Sequence, residues 1–135
     1  MDGFKVASEN SPLLKGTGLK NGDVIKLPTS ETDGAPVKKI LLPGSTEIPE
    51  IDNDKLNFYK TELVAFDFTL NPYNKPGIGT FIVFKKTETS GTVVNTSSDN
   101  WCSFLGIGGK DKTKIQAITK NMIDLSLNHQ SLFKS

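Results

Sequence analysis

Residues Leu56 to Lys86 read LNFYKTELVAFDFTLNPYNKPGIGTFIVFKK, and this stretch decides the fold because it holds the longest apolar runs in the chain. Seven of the eleven aromatic residues fall between Phe58 and Phe84. Within the stretch, large apolar side chains recur at every second position, which places them on one face of an extended chain. These residues are Val64, Phe66, Phe68 and Leu70. We therefore predict a strand with one deeply buried face and with Leu63, Ala65, Asp67 and Thr69 on the other.

A second strand follows the loop at residues 71–79. Its core, Phe81-Ile82-Val83-Phe84, is apolar on both faces, which is typical of a central strand covered on both sides. We predict that the two strands are antiparallel neighbours and that together they form the core.

Shorter strand patterns surround this pair, with turn signals between them. Asn21-Gly22 is a tight-turn dipeptide that precedes a short strand ending at Leu27. Three further strands are predicted at Val37–Leu42, Thr92–Asn95 and Trp101–Leu105. Short strands at close spacing predict a mainly-β fold, an antiparallel sandwich or Greek-key barrel.

The apolar period changes after Gly106. Spacings of three and four residues place one set of side chains on a single helical face: Ile115, Ile118, Met122 and Leu125. We predict one C-terminal helix at about 112–128, with Asp111 or Thr113 as its N-cap. A competing interpretation is a shorter helix followed by a terminal strand, because Ile123, Leu125 and Leu127 also alternate.

The chain has 135 residues, which corresponds to one domain. Residues 1–18 are polar and irregular apart from Leu13-Leu14, so we interpret them as an N-terminal arm that crosses the surface or reaches a partner. Residues 19–135 are predicted to form a single β-rich domain. The N-terminus lacks the apolar region of a signal peptide, and no apolar run reaches membrane-spanning length. We expect a soluble protein made in the cytoplasm.

The charge pattern gives little support to nucleic-acid or lipid binding. The net charge is +1, and all sixteen basic residues are lysines. Lysine lacks the planar fork with which arginine grips phosphate or guanine, so sequence-specific duplex recognition loses most of its support.

A Gly-rich link at Gly106–Gly109, followed by Lys110, is the best phosphate-binding candidate, because glycine amides ahead of a helix can approach an anion. The Walker pattern fails, since Phe104 stands where its first Gly belongs and Asp111 where its Ser or Thr belongs. We interpret the segment as a flexible strand-to-helix link.

Other catalytic or metal-binding signals are equally weak. Four acids fall within eight residues and match a solvated loop better than a calcium site: Glu47, Glu50, Asp52 and Asp54. Cys102 and His129 would form a nucleophilic couple only if the thiol were exposed. The neighbours Trp101 and Phe104 predict a buried thiol instead. We predict no cofactor and no metal ion.

Aromatic residues with nearby lysines raise one binding function, a stacking platform for single-stranded nucleic acid on an OB-like barrel. The residues that would form it are Tyr59, Lys60, Lys85, Lys86 and Trp101. The competing interpretation is that most rings of a domain this size lie in its core.

We favour a non-catalytic structural subunit that assembles through its N-terminal arm and its strand edges, with copies of itself or with other subunits. The expected interface residues are Leu13, Leu14 and Tyr73. A bacteriophage virion component, such as a capsid decoration, head or tail protein, matches this general character. The alternatives are the single-stranded nucleic-acid binder and a small enzyme with an unrecognised carboxylate site.

Overall fold

The computed structural model describes residues 3–28 and 31–135, and in these ranges the chain forms five strands, two α-helices and one 3₁₀ turn. The strands are β1 (Gly3–Val6), β2 (Val24–Lys26), β3 (Lys60–Leu70), β4 (Pro76–Lys85) and β5 (Thr92–Asn95). The helices are α1 (Asn53–Leu56) and α2 (Lys112–Leu127), and the 3₁₀ turn is Pro12–Leu14. Residues 1 and 2 of the predicted arm, and residues 29 and 30, lie outside the described ranges.

The strands form a curled half-barrel sheet in the order β2-β1-β3-β4-β5, and every pair of neighbours is antiparallel. This confirms the mainly-β class and the C-terminal helix. The predicted sandwich or barrel takes the form of one curled sheet. Residues 3–6 are a strand between β2 and β3, so the prediction of an irregular N-terminal arm is wrong for this segment. Phe4 and Val6 are fully buried there, and that burial holds the strand in the sheet.

The β3–β4 hairpin has a β-bulge that changes the predicted distribution of side chains. The register shifts between Leu63 and Ala65, so Val64 is the extra residue. Val64 therefore packs with Ala65 on one side of the sheet, whereas Phe66 packs with Leu63 on the other. The predicted face of Val64, Phe66, Phe68 and Leu70 is corrected, because a single inserted residue reverses the alternation.

Both faces of the sheet are covered. On the first face, α2, the 3₁₀ turn and the C-terminal segment enclose a large apolar cluster that includes Phe4, Ile25, Val64, Phe81 and Ile118. On the second face, the irregular segment 31–57 covers a smaller cluster of Leu41, Leu63, Phe66 and Ile78. The buried apolar surface therefore lies in two layers with the sheet between them.

The predicted strand Val37–Leu42 is not formed. Val37 makes an isolated bridge with Ile51, and Lys38 donates its N–H to the Glu50 carbonyl oxygen at 2.9 Å. Leu41 is buried against the second face, while Ile40 and Leu42 are exposed. The segment therefore covers the second face through Val37 and Leu41 and forms no ladder of its own.

Helix α2 confirms the predicted apolar face. Ile115 and Ile118 are fully buried, and Met122 and Leu125 pack against the same cluster. The competing terminal strand is wrong, because the helix continues to Leu127. Asn128 is its C-cap, the following residue His129 has a left-handed φ of 53°, and the Gln130 N–H donates to the Leu125 carbonyl oxygen at 2.9 Å.

The predicted strand Trp101–Leu105 is a series of tight turns. Backbone bonds join Ser103 N–H to the Asn100 carbonyl and Gly106 N–H to the Ser103 carbonyl, both at 3.1 Å. Trp101 directs its ring inward, 5.3 Å from the Phe81 ring, and donates its indole N–H to Thr119 Oγ1 at 3.0 Å. The buried Trp101 side chain therefore contacts both β4 and α2.

The Asp111 side chain acts on the sheet. Its carboxylate makes no capping bond to α2, whereas Asp111 Oδ2 accepts the Lys26 N–H of β2 at 2.6 Å. A backbone donor on the outer edge of β2 is thereby satisfied by a charged acceptor.

The C-terminal segment closes the first face. Leu132 and Phe133 are buried, and Lys60 Nζ lies 4.6 Å from the centre of the Phe133 ring. The Lys134 N–H donates to Glu62 Oε2 at 2.9 Å, so a buried carboxylate on β3 holds this segment in place.

We predict that Gly106→Ala lowers the free energy of unfolding by about 2–3 kcal/mol, because an added Cβ would overlap the carbonyl oxygens of Asn100 and Trp101. Gly91→Ala is the matched control, since nothing lies within 4 Å of a Cβ at that position. Urea denaturation measures both variants. Equal stabilities of the two variants would contradict the packing seen at residues 100–109.

We predict that Asp111→Ala lowers the free energy of unfolding by roughly 1–2 kcal/mol, because the Lys26 N–H loses a charged acceptor. Asp111→Asn, which keeps an acceptor oxygen, is expected to lose less. Thermal denaturation of the two variants tests this order. If Asp111→Asn were as unstable as Asp111→Ala, the bond to β2 would not be the stabilising contact.

Candidate functional site

The two leucines expected at an interface are core residues. Leu13 and Leu14 lie in the 3₁₀ turn, where the Ser11 hydroxyl accepts the Leu13 N–H. Both side chains are buried in the large cluster, and the Asn121 amide donates to the Leu13 carbonyl oxygen at 2.8 Å. Their assignment as interface residues is corrected, since the protein's own helix already covers them.

Tyr73, the third expected interface residue, lies in the loop between β3 and β4 and is 82% exposed. Its N–H donates to Asn71 Oδ1 at 2.9 Å, and Asn74 has a left-handed φ of 57°. The loop thus presents one ring to solvent on a turn held by an asparagine side chain.

Four of the five residues expected to bind nucleic acid lie together at the start of β3 and the end of β4. Lys60 is directly opposite Lys85, and the Tyr59 N–H donates to the Lys86 carbonyl oxygen at 3.1 Å. Tyr59 is 56% exposed, with Lys85 Nζ 6.0 Å from its ring centre. We call these four residues the Tyr59 patch.

Trp101 does not belong to the Tyr59 patch. It is only 3% exposed, and its ring and indole N–H are used within the core. Its assignment to a stacking platform is corrected, because the turn at residues 100–109 directs it inward. Phe66 is fully buried, and Phe84 stacks on Phe58 at 4.8 Å. Among these rings, only Tyr59 has most of its surface exposed.

The Gly-rich link does not present its amides to an anion. The N–H groups of Gly106, Gly108 and Gly109 all donate to carbonyl oxygens within the turns. An added Cβ at Gly109 would overlap the Leu105 carbonyl oxygen, so close backbone packing explains glycine at this position.

The acidic loop is engaged by lysines. Lys39 Nζ lies 3.3 Å from Glu47, and Lys38 Nζ lies 2.8 Å from Glu50. The hydrogen bond and the charge of Glu50 raise the pKa of Lys38 above its usual value. Asp52 precedes α1 as its N-cap residue. These contacts give the acidic loop a structural role on the surface.

Cys102 is exposed, which corrects the prediction of a buried thiol. The reason is the turn, since Trp101 occupies the core and its neighbour consequently points outward. His129 follows the C-cap of α2 in a left-handed conformation and is also exposed. The local backbone conformation thus explains the position of both side chains at the surface.

The clefts in the described part of the surface include two with acidic side chains in their walls. A cleft of about 810 Å³ at the far end of the β3–β4 hairpin has Glu31 and Asp33 on one wall. Both side chains are exposed, whereas paired acid–base carboxylates need different environments. A second cleft of about 510 Å³ borders Glu62, whose Oε1 has no hydrogen-bond partner among the described residues. That oxygen is sealed from solvent, so a ligand in the cleft would not reach it.

The two edges of the sheet differ in their accessibility. On β2, the Lys26 N–H is bound by Asp111, and Lys26 itself adds a charge. On the outer side of β5, no described segment makes a backbone hydrogen bond with Thr92–Asn95, and the strand carries no charge. Val24 on β2 is 40% exposed and Val93 on β5 is 45% exposed, so the two edges present similar apolar side chains.

The side chains of β5 alternate between the two covered faces. Val94 is opposite Val83 and packs against the large cluster, whereas Val93 is opposite Phe84 on the other face. The edge ends at Asn95, because the Asp33 N–H donates to the Ser97 carbonyl oxygen at 3.1 Å and segment 31–33 runs beside it. The open edge is therefore four residues long.

The sequence predicted β5 as a strand and strand edges as assembly surfaces. It did not identify Val93, because the position of β5 in the sheet depends on β4. Nor did it identify Asp111 as the residue that blocks β2, since 85 residues separate the two bonded groups. In the sequence, the one signal for an open strand edge was the lack of charged residues in Thr92–Asn95.

In the part of the chain that the structure describes, no helix is long and apolar enough to cross a membrane. The same residues contain no group of three Asp, Glu, His or Cys side chains that could hold a metal ion. Comparisons with protein-family models, with curated proteins and with solved structures found no match to this chain. The candidate site therefore rests on the geometry of the β5 edge.

Proposed function

We propose that this protein is a non-catalytic assembly subunit that binds another polypeptide by strand addition at the outer edge of β5. The observation that carries the proposal is the contrast between the two sheet edges. The edge of β2 is blocked by Asp111, the residue before α2, whereas β5 is uncharged and has no backbone pair on its outer side among the described residues.

An exposed sheet edge is a template for pairing with another strand, and proteins usually block such edges with charges, bulges or covering segments. Lys26 and Asp111 serve this purpose on β2. Thr92-Val93-Val94-Asn95 has two adjacent β-branched valines and no charged side chain or proline of its own, which favours pairing. A repeating assembly such as a virus particle is the setting that we propose for this subunit.

We predict that Val93→Lys removes the protein from any larger complex in lysate of its source cells, because a charge on the β5 edge opposes strand addition. Val24→Lys is the matched control, since Val24 is similarly exposed on the blocked edge. Size-exclusion chromatography of the tagged full chain measures both. Thermal denaturation verifies that both variants fold.

The proposal fails if wild-type protein is a monomer both in lysate and, when purified, at high concentration. It also fails if Val24→Lys and Val93→Lys reduce the size of the complex equally, because the β5 edge would then have no special role.

We propose, as a second candidate function, that the Tyr59 patch binds single-stranded nucleic acid. The observation that favours it is the exposed Tyr59 ring beside Lys85, with Lys60 on the neighbouring strand. An aromatic face can stack on a base while lysines contact the phosphates. One exposed ring supports one stacked base.

We predict that Tyr59→Ala weakens binding of a short fluorescent oligothymidylate about 5- to 100-fold, which corresponds to the loss of one stacked base. Tyr73→Ala is the control, because Tyr73 is an exposed ring at the opposite end of the β3–β4 hairpin from the Tyr59 patch. Fluorescence anisotropy at several salt concentrations measures both. Binding that does not change with salt, or equal losses in the two variants, would refute this function.

A further inference from the structure

We infer that the polypeptide bound at β5 is a second copy of this chain, paired antiparallel across a two-fold axis with Val93 opposite Val93 of the partner subunit. This inference rests on the proposed function and names its partner. The two half-barrels would then form one continuous sheet with β5 strands at its centre.

The alternation of side chains restricts the register. Residues directly opposite each other in an antiparallel ladder point to the same face of the sheet. Thr92 and Val94 point to the face covered by α2, whereas Val93 and Asn95 point to the other face. Because a residue must pair with one on its own face, Val93 can oppose Val93 of the partner subunit, with the two-fold axis at Val93, or Asn95 of the partner subunit, with the axis at Val94, but not Val94 of the partner subunit.

The end of the open edge restricts the register further. A two-fold axis at Asn95 would place Ser97 of the partner subunit opposite Val93. Ser97 is buried, has a left-handed φ of 62°, and its hydroxyl donates to the Thr80 carbonyl oxygen. Segment 31–33 already pairs beside it, so the ladder does not extend to that position.

Apolar contact favours the axis at Val93 over the axis at Val94. Val94 already packs against the large cluster, whereas Val93 leaves 45% of its surface exposed. A Val93 pair removes apolar surface of both copies from water, and β-branched pairs across strands are favourable. No charged side chain occurs within Thr92–Asn95, so no like charges oppose each other on the paired strands.

A margin of apolar side chains lies beside Val93 on the same face. Phe84 is its neighbour in the ladder and stacks on Phe58 at 4.8 Å. A hollow of about 150 Å³ adjoins the edge; Leu56, Phe58, Ile82 and Phe84 form most of its apolar lining, and Asp33, Asn95 and Ser97 lie on its polar side. Leu56, Phe58 and Phe84 are half-buried, and they enlarge the contact that the strands alone would make.

A four-residue ladder with this margin is smaller than a standard interface of about 1,200–2,000 Å², so we expect a weak dimer, with a Kd on the order of 10–100 μM. The first test is sedimentation equilibrium of the purified full chain from about 10 μM to about 1 mM. The expected result is a shift from monomer to dimer. Val93→Lys should raise the Kd at least about tenfold, because two like charges would face each other, while Val24→Lys leaves the Kd unchanged.

A cross-linking test identifies which β5 residues of the two copies lie opposite each other. In a Cys102→Ser background, Val93→Cys should form a disulfide-linked dimer under mild oxidation. Opposed Cα atoms about 4.5–5.5 Å apart match the spacing that a disulfide requires. Thr92→Cys should not link to itself, because in this register it lies opposite Val94 of the partner subunit. Val24→Cys in the same background is the control for random collision.

A monomer at all concentrations, or equal linking of the three cysteine variants, would overturn the inference. If the purified protein is monomeric while a Val93-dependent complex persists in lysate, the proposed function stands and the partner is a different chain. If both experiments give a monomer, the proposed function fails as well. Dimerisation with efficient Thr92→Cys linking would support self-association but refute the register.

Discussion

The structure depends on the β3–β4 ladder and on the bulge at Val64 within it. The inserted residue places Val64 and Ala65 on one side of the sheet and Leu63 and Phe66 on the other. The hairpin therefore has two apolar faces, and neither can remain in water. Every other element is arranged to cover one of them or to extend the sheet between them.

The two covers are built differently. Helix α2 covers the first face with a regular apolar stripe and is joined to β4 through Trp101, whose ring meets Phe81 and whose N–H meets Thr119. The second face is covered by irregular chain, segment 31–57, which contributes single side chains such as Leu41. The helical cover also supplies Asp111, which blocks the β2 edge. The irregular cover reaches Ser97 and stops short of β5.

This arrangement leaves two accessible surfaces with groups suited to binding, the Tyr59 patch and the β5 edge. The Tyr59 patch follows from the pairing of Lys60 with Lys85 at the open end of the hairpin. The β5 edge is open with respect to residues 3–28 and 31–135, because neither cover makes a backbone hydrogen bond with it there. The remaining polar groups singled out by sequence have local roles, as the glycine amides of residues 106–109 and the lysine-paired Glu47 and Glu50 demonstrate.

The sequence by itself determined the mainly-β class, the central hairpin, β5 and α2, because these depend on local periodicity that survives in any packing. It could not determine the bulge at Val64, since one extra residue leaves the apolar pattern almost unchanged. It also misplaced Leu13, Leu14 and Trp101, because their burial depends on contacts with α2. Leu13 is 108 residues from its helix partner Asn121, and Trp101 is 18 residues from Thr119. Only the tertiary structure decided which edge is blocked, because Lys26 and Asp111 meet solely through the folded chain.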